Sequence, residues 1–252
     1  MIRPEKKMLV IMAHPDDESF GPAGTLALYS RQGVEIHLIC VTNGEASEVI
    51  LSNTEKLTMD ERKQILAKTR QCEVRHAADI IGISQIDFLN YPDGQLCNAL
   101  YHIIAHDLMT KIDSFSPHII ITAEPQGITG HLDHIAVSMI TTYAFIKSGK
   151  GCKLYYFCLA KGMVSLESRE NYFVYFPPGY EQSMITTRID YHHFFDIKIA
   201  AMRQHLSQTT EVEYLIRKSE PLPKIDFYIL QNHRNCQINL PEDDLFSGIN
   251  IT

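Results

Sequence analysis

Tryptophan is absent from the 252 residues, so any aromatic platform has to be built from Tyr or Phe. Positive charge is scarce as well: 23 Lys and Arg stand against 30 Asp and Glu, a formal net charge of -7. That balance provides no basic footprint for nucleic acid or an anionic membrane surface, and an anionic ligand would need locally placed Arg or Lys. No apolar run approaches the length of a membrane span, and the start, Met1-Ile2-Arg3-Pro4-Glu5-Lys6-Lys7, lacks the apolar stretch of a signal peptide. The expectation is a soluble, cytoplasmic protein with neither nucleic acid nor membrane as partner. The six cysteines, Cys40, Cys72, Cys97, Cys152, Cys158 and Cys236, are scattered without a C-x-x-C pair and read as free thiols. There is no internal repeat and no low-complexity tract.

What the chain does have is 45% hydrophobic content, enough at this length for the full core of one large domain, and a regular alternation. Short apolar runs at Met8 to Met12, Ile36 to Val41, Ile86 to Leu89, His118 to Thr122 and Lys153 to Cys158 read as strands. Helical segments fall between them: one after Pro22, a long one ending near Gly82, one from about Asn98 to Ile112 and one from about Asp133 to Lys147. Such alternation is the signature of βαβ units around a parallel sheet, and buried parallel strands are uniformly apolar. The expected fold is α/β: a Rossmann-like, mostly parallel sheet flanked by helices, forming a single domain over residues 1–252. Its core covers about 8–160. The remainder, 161–252, is an irregular extension around Pro177-Pro178-Gly179-Tyr180 with a helix from about His193 to Leu206 and a strand at Asp226 to Leu230.

Two polar clusters stand out. Directly behind the first strand lies "MAHPDDESF", Met12 to Phe20, with three acidic side chains in a row. A solvated acidic turn capping the next helix is the plain reading, because carboxylates suit a helix's first turn. The second cluster, Gly130-His131-Leu132-Asp133-His134, follows the apolar run Ile119 to Thr122. In open parallel sheets ligands bind beyond the carboxyl ends of strands, near the point where strand order reverses. If the two strands are neighbours, His14, Asp17 and His134 can converge on one metal ion with a position left open for water and substrate. Two imidazoles and one carboxylate form a catalytic zinc set, and the same set also suits non-haem iron(II).

"AHPDDE" after a first strand, with "TGHLDH" later, resembles the LmbE-like or PIG-L family of zinc-dependent N-deacetylases, whose members remove acetyl groups from N-acetylglucosaminyl compounds. Supporting segments are "VTNGEAS" at Val41 to Ser47, Arg70 with Glu73, "YPDG" at Tyr91 to Gly94, and the spacing of Lys198, Ala201, His205, Ser207 and Gln208. Pro22, Leu132 and Thr129 depart from residues that many members carry there. The resemblance implies one Zn2+ per chain on His14, Asp17 and His134, with Fe2+ or another divalent ion as the alternative. It implies Asp16 as general base, His131 as stabiliser of the oxyanion or proton donor, and Asp133 tuning His131. Arg70, Asp93 and Glu45 would hold an amino-sugar substrate, completed by the C-terminal extension, with Tyr91 or Tyr180 as stacking faces. Other readings stay open: an amidase acting on an amino-sugar conjugate, an iron(II) enzyme, or a non-catalytic sugar- or metal-binding module. A homo-oligomer is compatible with all of them.

Overall fold

The computed structural model describes residues 6–47, 57–163 and 179–251, apart from the Thr129 side chain. Pro177 and Pro178, the centre of the expected irregular excursion, lie outside the described residues. Seven strands form one sheet: β1 (Lys7–Met12), β2 (Glu35–Thr42), β3 (Gln85–Tyr91), β4 (Ile119–Ala123), β5 (Lys153–Cys158), β6 (Thr187–Asp190) and β7 (Ile225–His233). Their order is β3-β2-β1-β4-β5-β7-β6. The first five are parallel, while β7 runs antiparallel to both β5 and β6. Strand order therefore reverses between β1 and β4, so the loops that follow these two strands open into one crevice.

Alternation along β1 builds two cores, because successive side chains point to opposite faces of a strand. Met8, Val10 and Met12 pack with Leu26 and Ala27 of α2 (Ala23–Arg31) and Val74, Ala77 and Ile81 of α3 (Met59–Ile81). Leu9, Ile11 and Ala13 pack with Ile104 and Leu108 of α4 (Tyr101–Phe115) and Val137 and Ile140 of α6 (Leu132–Ser148). Between β1 and α2 sits α1 (Asp17–Phe20), and between β4 and α6 a short kinked turn, α5 (Gly127–Gly130). The long α3 is framed by its own residues: Thr58 and Glu61 form a reciprocal capping box, and Gly82 ends the helix in the left-handed region at φ 93°. No helix among the described residues is long and apolar enough to cross a membrane.

The C-terminal part departs from the expected pattern. The single helix expected from His193 to Leu206 is a 3-10 turn at His192–Phe194, then α7 (Phe195–Met202), then a second 3-10 turn at Leu206–Gln208. An additional helix, α8 (Thr209–Ser219), follows, although only Val212 and Ile216 are buried along it, too narrow a stripe to stand out in the sequence. The edge strand β6 has four residues and takes its shape from pairing with β7.

One buried ion pair fastens the chain's end to this sheet. The Lys153 ammonium, with no exposed side-chain surface, lies 2.6 Å from Glu242 Oε1, and the Tyr155 hydroxyl donates to Glu242 Oε2 at 2.5 Å. Removing one partner strands the other charge in the core, which typically costs about 3–5 kcal/mol, whereas replacing both by apolar residues is nearly neutral. Glu242→Ala is therefore expected to lose about 3–5 kcal/mol of unfolding free energy in denaturant titration, and Lys153→Met combined with Glu242→Leu to recover most of it.

Candidate active site

The loops after β1 and β4 bring the two sequence clusters together. His14 Nδ1 lies 3.1 Å from His134 Nε2, Asp17 Oδ1 is 3.1 Å from His134 Nε2, and Asp17 Oδ2 is 3.7 Å from His14 Nδ1. Tetrahedral ligands held at about 2.0–2.2 Å from zinc stand roughly 3.3 Å apart, so the two nitrogens and the Asp17 carboxylate, which meets each of them through a different oxygen, stand near the spacing of a coordination face. Each imidazole is oriented from behind. His134 Nδ1 donates to the Gly127 carbonyl at 3.1 Å, which leaves the lone pair on Nε2 facing the site. His14 Nε2 is directed at Asp93 Oδ1, 2.9 Å away, and at Asp133 Oδ2, 3.4 Å away, which leaves Nδ1 facing Asp17 and His134. A partner on the far nitrogen sets the tautomer and ring angle of a metal-binding histidine.

His131 stands close enough to His14 and His134 to form an alternative donor group, and so do Asp93 and Asp133 to His14. The oxygens of these two aspartates are committed elsewhere: Asp93 Oδ2 accepts from the Ala46 N–H at 2.9 Å, and Asp133 accepts from the N–H groups of Gly94 at 2.7 Å and Leu96 at 3.0 Å. Asp93, expected to meet substrate, instead ties the turn after β3 to His14. Arg70 is likewise turned inward and buried. Its guanidinium donates to Asp16 Oδ2 at 2.6 Å, to the Pro15 carbonyl at 2.6 Å and to the Gly44 carbonyl at 2.8 Å. Glu73, three residues on along α3, accepts from the Ser207 N–H and hydroxyl at 2.7 Å each. Gly44 makes the close approach feasible, since a Cβ there would stand 2.3 Å from Arg70 Nη1, and its φ of +68° suits only glycine without strain. Glu45 accepts from the Asp93 N–H at 3.0 Å through Oε1, while its other oxygen is buried without a partner among the described residues.

Asp16 holds an unusual backbone conformation, φ 120° and ψ -26°, a region that L-residues rarely enter and that costs on the order of 1–3 kcal/mol. The kink separates two neighbouring carboxylates. Asp17 faces the histidines, and Asp16 faces Arg70. Burial pushes the Asp16 carboxyl up to about 6, although Arg70 pulls it down. Burial also opposes ionisation of Asp17, but His134 and His14 outweigh it and hold Asp17 well below the carboxylate range.

His131 is the N-cap of α6 and stands beside both other histidines, with ring centroids 4.7 Å from His14 and 5.0 Å from His134. Its Nδ1 accepts the Asp133 N–H at 3.2 Å, so the neutral ring carries its proton on Nε2. Burial, then the charges of His14 and His134, lower it to about 4. Asp133, expected to tune His131, meets it through its backbone N–H, while its carboxylate is engaged with Gly94, Leu96 and His14, and burial favours the neutral His131 ring. The expected stacking faces are engaged as well, Tyr91 donating to Asp107 at 2.6 Å and Tyr180 to Glu124 Oε2 at 2.6 Å.

Two further carboxylates support the site, and of these Glu124 escapes the motif reading. Glu124, directly after β4, accepts from the N–H groups of Gln126 at 2.6 Å and Ile128 at 2.5 Å and so shapes the turn whose Gly127 carbonyl orients His134. A lone carboxylate ending the run Ile119 to Ala123 is the signal that could have found it. Glu18 is fully buried and meets His205 from the far end of the chain. Among the described residues a carboxylate-rich shell thus surrounds a three-donor face.

Two outcomes follow from the charges. Burial lowers the His14 imidazole, but its hydrogen bonds to Asp133 and Asp93 and the charge of Asp17 outweigh it and raise it to about 10. A metal needs the neutral ring, so metal uptake by the metal-free protein near neutral pH is expected to release a proton, measurable in weakly buffered titration, and metal affinity to fall as pH falls. Asp16 has to be ionised to accept a proton, and Arg70 favours the ion. Arg70→Ala is expected to keep its metal while the acidic limb of kcat/KM moves to higher pH, as measured by a pH–rate profile of both proteins.

Known proteins resemble this chain in sequence and in fold. The PIG-L family, described as GlcNAc-PI de-N-acetylase, matches residues 9–145, more than half of the chain and the segment that carries both clusters. A 1D-myo-inositol 2-acetamido-2-deoxy-alpha-D-glucopyranoside deacetylase of Saccharomonospora viridis is 27% identical over 272 residues, covering 96% of this chain and all of the relative. N,N'-diacetylchitobiose deacetylase from Pyrococcus horikoshii superposes with a TM-score of 0.64 at 20% identity, covering 90% of this chain and 84% of that one. The 4-carboxy-2-hydroxymuconate hydratase of Pseudomonas putida superposes with a TM-score of 0.69 at 18% identity, covering 93% and 99%. At such identities the structural likeness speaks for the fold, whereas the family match rests on the sequence that builds the site: this chain belongs to the PIG-L family.

Proposed function

We propose that the chain is a metal-dependent N-deacetylase that hydrolyses the acetamide of an N-acetylglucosaminyl conjugate, with zinc as the resident ion. The observation that carries this reading is the face formed by His14 Nδ1, Asp17 and His134 Nε2, at 3.1 to 3.7 Å from one another, with the ionisable Asp16 next to it in sequence but turned to Arg70. His14, Asp17 and His134 would hold the metal, and a divalent ion there supplies Lewis-acid polarisation of the amide carbonyl and a water of lowered pKa. Iron(II) fits the same donors.

The chain's own groups supply the rest. Asp16 accepts the proton of the attacking water, and Arg70 keeps the carboxylate ionised and aimed. His131 donates its Nε2–H to the oxygen that becomes negative as the carbonyl carbon turns tetrahedral. One such donor is typically worth about 2.7–4 kcal/mol. When the C–N bond breaks, the amine needs one proton, and the one taken up by Asp16 balances the reaction, giving acetate and a free amine. A neutral His131 is suited to hydrogen bonding but not to being that proton source. The buried, unpartnered oxygen of Glu45 beside Asp93 is the acceptor available for a substrate hydroxyl. The amino-sugar class is supported by the named activities of the Saccharomonospora and Pyrococcus proteins.

The direct test incubates metal-loaded protein with a GlcNAc–inositol glycoside, diacetylchitobiose and free N-acetylglucosamine, and measures acetate and primary amine. Equal amounts of both from at least one compound are expected. No release from any of them, with metal content verified, would count against the proposal. A paired substitution tests the division of labour between the two aspartates. Asp17→Asn is expected to lose metal and activity together, whereas Asp16→Asn is expected to stay loaded and lose kcat by about 10²–10⁴-fold, the usual cost of removing a general base. Metal analysis and steady-state kinetics on both proteins distinguish the two behaviours.

A further inference from the structure

We propose that the buried pair of Glu18 and His205 is a positioning device that holds Asp16 in its left-handed backbone conformation, and with it the aim of the Asp16 carboxylate. The inference rests on Asp16 serving as the base of the proposed deacetylase. Backbone strain of this kind persists only where the surroundings over-determine it. Around Asp16 the determinants are countable. Its N–H donates to Glu18 Oε2 at 3.0 Å, its carbonyl accepts from the N–H groups of Ser19 and Phe20 at 2.9 Å each, and its carboxylate meets Arg70. The first of these depends on Glu18 reaching back two residues, with its carboxylate wholly removed from solvent.

A glutamate in the first turn of a surface helix would normally stay solvated. Here α1 is only four residues long, and Glu18 is anchored from elsewhere: Oε1 accepts from Ser19 Oγ at 2.6 Å and from His205 Nε2 at 3.1 Å. His205 is itself 1% exposed, its ring edge-on to Phe20, and its Nδ1 is buried with no partner among the described residues. The polar contacts of this histidine are therefore confined to the Glu18–Ser19 turn. A buried carboxylate with a buried imidazole is a costly way to fill space, and an apolar pair would fill it as well. What the polar pair adds is an acceptor fixed opposite the Asp16 N–H.

The segment that carries His205 is built to stay in place. Lys198 Nζ donates to the Gly21 carbonyl at 2.5 Å, at the other end of the same turn, while Ser207 binds Glu73 and Gln208 binds Ser47 Oγ at 2.8 Å. Residues 198–208 thus brace the turn at 16–21, the helix that supplies Arg70, and the loop whose Gly44 carbonyl accepts from Arg70. The metal-facing side has holds of its own, since the Asp17 carboxylate accepts from the His14 N–H at 2.8 Å and meets His134 at 3.1 Å.

His205→Leu, His205→Gln and Glu18→Gln, made in the full chain, test the device. In His205→Leu the Asp16 φ is expected to leave the positive region in a crystal structure, and hydrogen exchange across residues 13–20 to quicken. Metal content and KM should stay near those of the parent, with kcat lower by about 10²-fold, the loss that misplacement of a reacting group by an ångström can bring. His205→Gln keeps an N–H donor of similar reach and should restore most of kcat. Should His205→Leu fail to fold, Glu18→Gln carries the test, because one amide oxygen cannot serve both Asp16 and His205, and the same split of kcat from KM and metal is expected. An Asp16 that keeps φ near 120° with unchanged kcat would overturn the proposal. So would a parallel fall of kcat, metal content and unfolding stability that His205→Gln does not relieve, the mark of a merely structural pair. If the parent protein releases no acetate from any compound, the deacetylase reading fails, while the Asp16 conformation in the variants still decides whether the brace exists.

Discussion

Like charge crowded out of water is the constraint from which the rest of this structure follows. Asp17, Asp93 and Asp133 gather around one imidazole beyond the carboxyl ends of β1, β3 and β4, with Asp16 turned to Arg70 and Glu18 beside it. Buried carboxylates are tolerated only when paired or hydrogen-bonded. Each here has a distinct answer: Arg70 for Asp16, the histidine pair for Asp17, His14 and a backbone N–H for Asp93, two backbone N–H groups and His14 for Asp133, and His205 for Glu18. A divalent cation on the three-donor face would complete the balance.

The same arrangement explains how nearly identical side chains acquire different duties. Two adjacent aspartates would ordinarily compete for one cation. The turn at Asp16 sends them apart, one to the histidines and one to the guanidinium; burial prevails over Arg70 at Asp16, whereas the histidines prevail over burial at Asp17. His14, His131 and His134 are separated in the same way by what touches the nitrogen facing away from the site: carboxylates, a backbone N–H and a carbonyl, respectively. Function at this site depends on outer contacts as much as on the groups that face substrate.

Fold alone does not select the reaction. A hydratase and a deacetylase both superpose on this chain with similar coverage, so the chemistry has to be argued from the side chains at the strand ends. The parallel α/β architecture weighs against the iron(II) oxygenase reading, which would ordinarily be sought on a β-barrel. An Asp16 held in costly strain next to the donors, yet not among them, weighs against a binding module that has no proton to move.

The five parallel strands and their helices were legible in the sequence because the signal is local: apolar runs bounded by turn residues, with caps such as Gly82 where helices end. The meeting of the two His-and-Asp clusters was legible too, since each follows a strand and the rule of the switch point places both at one crevice. What lay beyond the sequence depended on partners distant along the chain. Whether Arg70 would meet substrate or Asp16, whether Asp133 would face His131 or His14, and that His205 would reach Glu18 across 187 positions are matters of packing, which spacing does not encode. The C-terminal part was least readable for the same reason: β6 exists because β7 pairs with it, and α8 shows too narrow an apolar stripe to declare itself. Sequence by itself determined which residue types stand at the ends of the central strands. Only the tertiary structure decided which way each one faces, because orientation is settled by hydrogen-bond partners contributed from other segments.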